Sequence, residues 1–103
     1  MVESSLISGI VERLAKEFLP EKIILFGSAA REASHTSNDI DLLVIARSSE
    51  PLHIRMARAY RALRGVMVAV DVIVCTPDEA TRYSRWLGHT IAVAMREGIV
   101  IYG

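Results

Sequence analysis

The chain holds a single cysteine, Cys75, which excludes an internal disulfide and a cysteine-ligated metal cluster within one copy. Its setting, VDVIVC, is that of a small buried core residue and not of a nucleophile. Net charge is also lacking, because 12 Lys and Arg balance 12 Asp and Glu. That balance argues against a nucleic-acid binder relying on a globally positive surface. No apolar run approaches the roughly 20 residues that cross a bilayer. The N-terminal MVESSLISGIVERLAKEF lacks the basic start and uninterrupted apolar stretch of a signal peptide. The expected setting is therefore the cytoplasm, with no membrane contact. Repeats, low-complexity segments and linkers are absent, and 103 residues suit one domain spanning 1–103.

What is present is a core-rich, regularly patterned chain, 51% apolar and 23% charged, which excludes disorder. Leu6, Ile7, Ile10, Val11, Leu14, Ala15 and Phe18 follow the spacing of an amphipathic helix, with Ser4 or Ser5 as cap and Pro20 at its end. KIILFG reads as a buried strand closed by Gly27. Ser28, Ala29 and Ala30 suggest a tight turn into a short helix, and SHTSN an exposed loop. DIDLLVIA is a second strand. A second helix carries Leu52, Met56, Ala59, Tyr60 and Leu63 and stops at Gly65. VMVAVDVIVC reads as a long strand interrupted by Asp71. Thr76 and Pro77 then open a long helix from about Asp78 to Glu97, with Tyr83, Leu87, Ile91 and Ala94 on one side. IVIY is a short last strand after Gly98. The expected class is α/β (α+β): one small sheet with helices packed on it.

Between Arg47 and Gly65 the charge is uneven: Arg47, Arg55, Arg58, Arg61 and Arg64 face one acid, Glu50. At a spacing of three, such arginines drift by about 60° per step and cover a broad helix face. That face is either solvated or a surface for phosphate or an acidic partner. His35 reads as a loop residue, and His53 and His89 lie on expected helices without metal-ligand spacing. Tyr83 and Trp86 are read as packing against the sheet.

Asp39 and Asp41 open the second strand, and its period of two places both side chains on one face. Like charges so close cost stability unless a cation or donor compensates. Asp71, flanked by β-branched residues, would be costly unpaired within a sheet. If its strand lies beside DIDLLVIA, three carboxylates meet at one edge, a donor set suited to Mg²⁺ or Mn²⁺. Gly27 and Ser28, between a strand and a helix start, offer backbone N–H groups and a hydroxyl to an anion.

The pattern Gly27-Ser28, ten residues, Asp39-Ile40-Asp41, then Asp71 in a later strand resembles the DNA polymerase β-like nucleotidyltransferase superfamily. GSAAR, DIDLLV and the C-terminal REGIVIY resemble its minimal nucleotidyltransferase (MNT) branch. The resemblance implies the polymerase β-like fold, with a mixed sheet and two divalent ions held by Asp39 and Asp41. It further implies that Asp71 ligates the catalytic ion and helps deprotonate an acceptor hydroxyl. Gly27 and Ser28 would bind the β- and γ-phosphates of ATP, and Arg31 would steady the triphosphate. Two positions depart from the pattern: Glu32, where Gly is frequent, and Asn38, where Ser is common. Larger members carry an added helical domain, which this sequence does not contain. Within the MNT branch the implied partner is a helical HEPN toxin, AMP being transferred from ATP to one of its tyrosines. The alternatives are an antitoxin that acts by binding alone and a small-molecule, aminoglycoside-type nucleotidyltransferase. A homo-oligomer is compatible with each.

Overall fold

The computed structural model describes residues 4–27, Ala30 and residues 39–103. Their order is α1 (Ser4–Phe18), β1 (Lys22–Phe26), β2 (Ile40–Ile45), α2 (Leu52–Ala62), β3 (Val70–Cys75), α3 (Pro77–Tyr83), α4 (Thr90–Glu97) and β4 (Ile99–Tyr102). The expected short helix after Gly27 and the SHTSN loop lie outside the described residues, apart from Ala30, which is helical.

The four strands form one mixed sheet in the order β3-β2-β1-β4. β2 runs parallel to β3, while β1 is antiparallel to both β2 and β4. The period of two sorts the apolar side chains onto two faces. Leu42, Val44, Val72 and Val74, with Ile23 and Leu25, pack against Ile10 and Leu14 of α1 and against Ala59 and Leu63. Leu43, Ile45 and Cys75, with Ile24 and Phe26, pack instead against Ala80 of α3 and Ile91 and Ala94 of α4. A sheet covered on both faces explains why its inner strands read as unbroken apolar runs. Each fully buried Leu or Ile contributes roughly 1.5–3 kcal/mol.

The long helix expected over 78–97 is two helices. α3 ends at Tyr83, and Ser84 follows as its C-cap. Turn bonds from Trp86 N to Tyr83 O (3.1 Å) and from His89 N to Trp86 O (2.8 Å) carry the chain round. His89 then caps α4, its Nδ1 accepting from Ile91 N at 3.0 Å. Gly88 favours the break, since glycine costs about 1 kcal/mol within a helix. In consequence Trp86 and Leu87 are exposed and do not pack on the sheet. Tyr83 stacks on His89 and meets Trp86 edge-on.

The expected strand over 66–75 is also shorter, because the turn at Gly65 (φ 90°) leaves Met67 exposed and β3 begins at Val70. Thr76 caps α3 with Pro77 in its first turn, as expected, and Glu79 completes a capping box that the sequence reading did not include.

The arginine-bearing helix is only partly a free surface. Arg55 is buried; it donates to the carbonyls of Glu50 (3.0 Å) and Val74 (2.6 Å) and to both oxygens of Glu79 (2.9 and 3.1 Å). Arg58 bonds Glu17 and Glu50 and lies over the Phe18 ring. Both side chains tie α2 to its neighbours. Arg61 and Arg64 are left exposed.

Candidate active site

The site begins with the register of the three central strands. Phe26 pairs with Asp41, and Asp41 pairs with Asp71, so the three residues form one row across β1, β2 and β3. Residues paired across a sheet project from the same face. Asp41 and Asp71 are therefore neighbours on the face that carries α3 and α4. The next residues along that face, Leu43 and Ile73, belong to the apolar cluster beneath those helices. The carboxylate row lies beyond this cover: Asp41 is half-buried and Asp71 exposed. Asp71 is the second residue of β3, not a mid-strand residue, and makes no ion pair with Lys or Arg among the described residues.

Asp39 stands exposed one residue ahead of β2. Ile40 N donates to Ala69 O at 3.0 Å, which fixes the start of β2 against the approach to β3. Asp39 thus lies at the same end of the sheet as the Asp41–Asp71 pair.

Gly27 closes β1 with φ 76°, a left-handed conformation that side chains rarely adopt. A β-carbon there would collide with Oδ2 of Asp41. The turn therefore lets a carboxylate lie directly against the backbone, a close approach that only glycine permits. Ser28 and Arg31, the other expected phosphate contacts, lie outside the described residues, as do Glu32, His35 and Asn38.

Oxygen donors side by side on neighbouring strands are the chemistry that suits Mg²⁺ or Mn²⁺. Among the described residues no three His, Cys, Asp or Glu side chains are drawn together as metal ligands. The donor pair formed by Asp41 and Asp71 fits a hard divalent cation, with Asp39 nearby but not gathered into a three-residue set.

Two features of this region were not legible in the sequence. Phe26 shares the carboxylate row, a consequence of strand register that a single strand cannot reveal. Arg55 and Glu79 lock α2 to the start of α3, and only the capping-box half of that arrangement has a local signal. Cys75 is buried as expected, and burial pushes its thiol up to about 12.

Comparison with known proteins bears on the fold and the domain family. Among solved structures, a presumed nucleotidyltransferase from Sulfolobus solfataricus superposes with a TM-score of 0.64 at 28% identity, covering 93% of this chain and 76% of that one. BolA1 from Arabidopsis thaliana shares the fold with a TM-score of 0.57 at 20% identity, over 72% of this chain and 94% of that one. A Bol-like protein from Babesia bovis does so with a TM-score of 0.57 at 18% identity, over 82% of this chain and 96% of that one. Among curated proteins no sequence matches the chain. The family model described as Nucleotidyltransferase domain matches residues 7–93. Since that match runs from α1 into α4 and so covers well over half of the sequence, the chain belongs to the nucleotidyltransferase domain family.

Proposed function

We propose that the chain transfers AMP from ATP to a hydroxyl acceptor, a tyrosine of a helical HEPN-type toxin, and thereby acts as a cytoplasmic antitoxin. The observation that carries this reading is the register pairing of Asp41 with Asp71 beside the Gly27 turn. Asp41 and Asp71, with Asp39, would hold Mg²⁺. Bound there, the cation would offset charge on the attacking and leaving oxygens. Gly27 and Ser28 would bind the β- and γ-phosphates, and Arg31 would steady the triphosphate. Asp71, open to solvent, accepts the proton of the acceptor hydroxyl as its oxygen bonds to the α-phosphorus. The bond from that phosphorus to pyrophosphate breaks in the same displacement.

Glu32, an acid next in sequence to the expected triphosphate contact Arg31, favours a second reading, an antitoxin that neutralises its partner by binding alone. One experiment separates the two. The protein is incubated with α-labelled ATP, Mg²⁺ and the helical protein encoded beside it, and label on that protein is measured. The enzyme reading expects transfer that falls roughly 100-fold or more in Asp41→Asn and Asp71→Asn. Neutralisation that persists in both variants without label supports the binding antitoxin. Label that appears only on an added small-molecule acceptor overturns the protein-acceptor reading.

A further inference from the structure

The two edges of the sheet are finished differently. On β3, the N–H of Val72 donates to Tyr60 Oη (3.3 Å) and the carbonyl of Val74 accepts from Arg55 (2.6 Å). Side chains of α2 thus occupy polar groups that would otherwise recruit another strand. β4, the opposite edge, pairs with β1 and with no other strand among the described residues. Its four residues, IVIY, include neither charge nor proline, the usual blunting devices of an edge. Ile99, Val100 and Tyr102 are exposed.

Beside this edge a groove of about 720 Å³ runs between α1 and β4, bordered by Ile7, Val11, Leu19 and Ile101. On its border Glu12 and Lys16 stand one helical turn apart. Both are exposed, and neither makes an ion pair among the described residues.

We propose that this edge takes a second copy of the chain, the two β4 strands pairing antiparallel about a two-fold axis. The charges favour this occupant over an unrelated strand. The turn after α1 reverses the chain into β1, and β4 is antiparallel to β1, so α1 and β4 run the same way. Tyr102 pairs with Ile23, near the end of β1 that follows α1, and Ile99 pairs with Leu25 farther along. With rises of about 3.3 Å per strand residue and 1.5 Å per helix residue, the centre of β4 lies level with about Leu14. A two-fold axis there sets the α1 helices antiparallel and brings Glu12 of each copy opposite Lys16 of the other. The same surface then supplies both halves of the contact, as an isologous dimer requires. The Asp41–Asp71 pair lies apart from this joint, because β2 and β3 are on the far side of β1 from β4.

Sedimentation equilibrium across a concentration series tests the proposal independently of nucleotidyl transfer. The wild-type protein is expected to reach twice the 11.4 kDa chain mass, and Val100→Lys to remain monomeric. Glu12→Lys and Lys16→Glu, exposed changes outside the core, should each raise the dimer dissociation constant roughly 5- to 10-fold by facing like charges. The double variant Glu12→Lys, Lys16→Glu should restore it. A wild-type protein monomeric throughout the series overturns the proposal and leaves β4 to a strand of another protein. A dimer insensitive to Val100→Lys and to both single reversals overturns it as well.

Discussion

The carboxylate of Asp41 lies directly against the α-carbon of Gly27, where a side chain would displace it. Two strands meet at this point: the turn that ends β1 and the acid that opens β2 are fitted to one another. Gly27→Ala should therefore combine a backbone penalty at φ 76° with a steric one. We expect a loss of about 2 kcal/mol or more in urea unfolding. Nucleotidyl transfer should fall further than stability alone explains, since Asp41 must move. Unchanged unfolding and transfer would show that the close approach is dispensable.

Arg55 joins α2, β3 and α3 through a single buried guanidinium. Arg55→Met keeps the volume but strips the carbonyls of Glu50 and Val74 and the Glu79 carboxylate of their donor. The expected loss is about 3 kcal/mol or more. Adding Glu79→Gln should cost less in the Arg55→Met background than alone, and a double-mutant cycle in urea measures that coupling. Additive effects would contradict the assigned pair.

The same contact predicts an acid limb of stability. Hydrogen bonding from Arg55 holds the Glu79 carboxyl below its ordinary value of 4.5, and the backbone N–H of Thr76 acts in the same direction. A depressed folded value means that the stabilisation is complete above 4.5 and is lost as pH falls through the folded value. Unfolding free energies measured between neutral pH and about pH 3 should fall for the wild type. Glu79→Gln should show a shallower fall over that window.

Cys75 supplies the alkaline counterpart. Burial, reinforced by the charge of Glu79, raises its thiol from 9.0 to about 12. Its contribution is therefore intact below 9.0 and declines as pH rises toward 12. At pH 8, expressed as ordinary mildly basic buffer, iodoacetamide should label Cys75 only in denaturant. Fast labelling of the native protein would contradict its burial between the sheet and α3.

Local patterns carried much of the fold. The apolar spacing of α1, the capping box at Thr76 and Glu79 and the short β-branched runs each follow from interactions within a few residues. The reading failed where local and tertiary preferences diverged. An apolar, helix-compatible stretch through Trp86 and Leu87 concealed a break that Gly88 and the His89 cap produce. VMVA looked like strand, yet β2 supplies partners only from Val70 onward. Arg55, one of an evenly spaced arginine series, is buried because two carbonyls and Glu79 converge on it from other elements.

By itself the sequence determined the chemistry available: three aspartates, a glycine that closes a strand, and alternating apolar runs able to cover both faces of a sheet. Tertiary structure alone decided that β2 and β3 are parallel and in register, so that Asp41 stands beside Asp71 although thirty residues separate them. Register is a pairing between distant segments, fixed by how their apolar faces bury together, and no single segment contains that information.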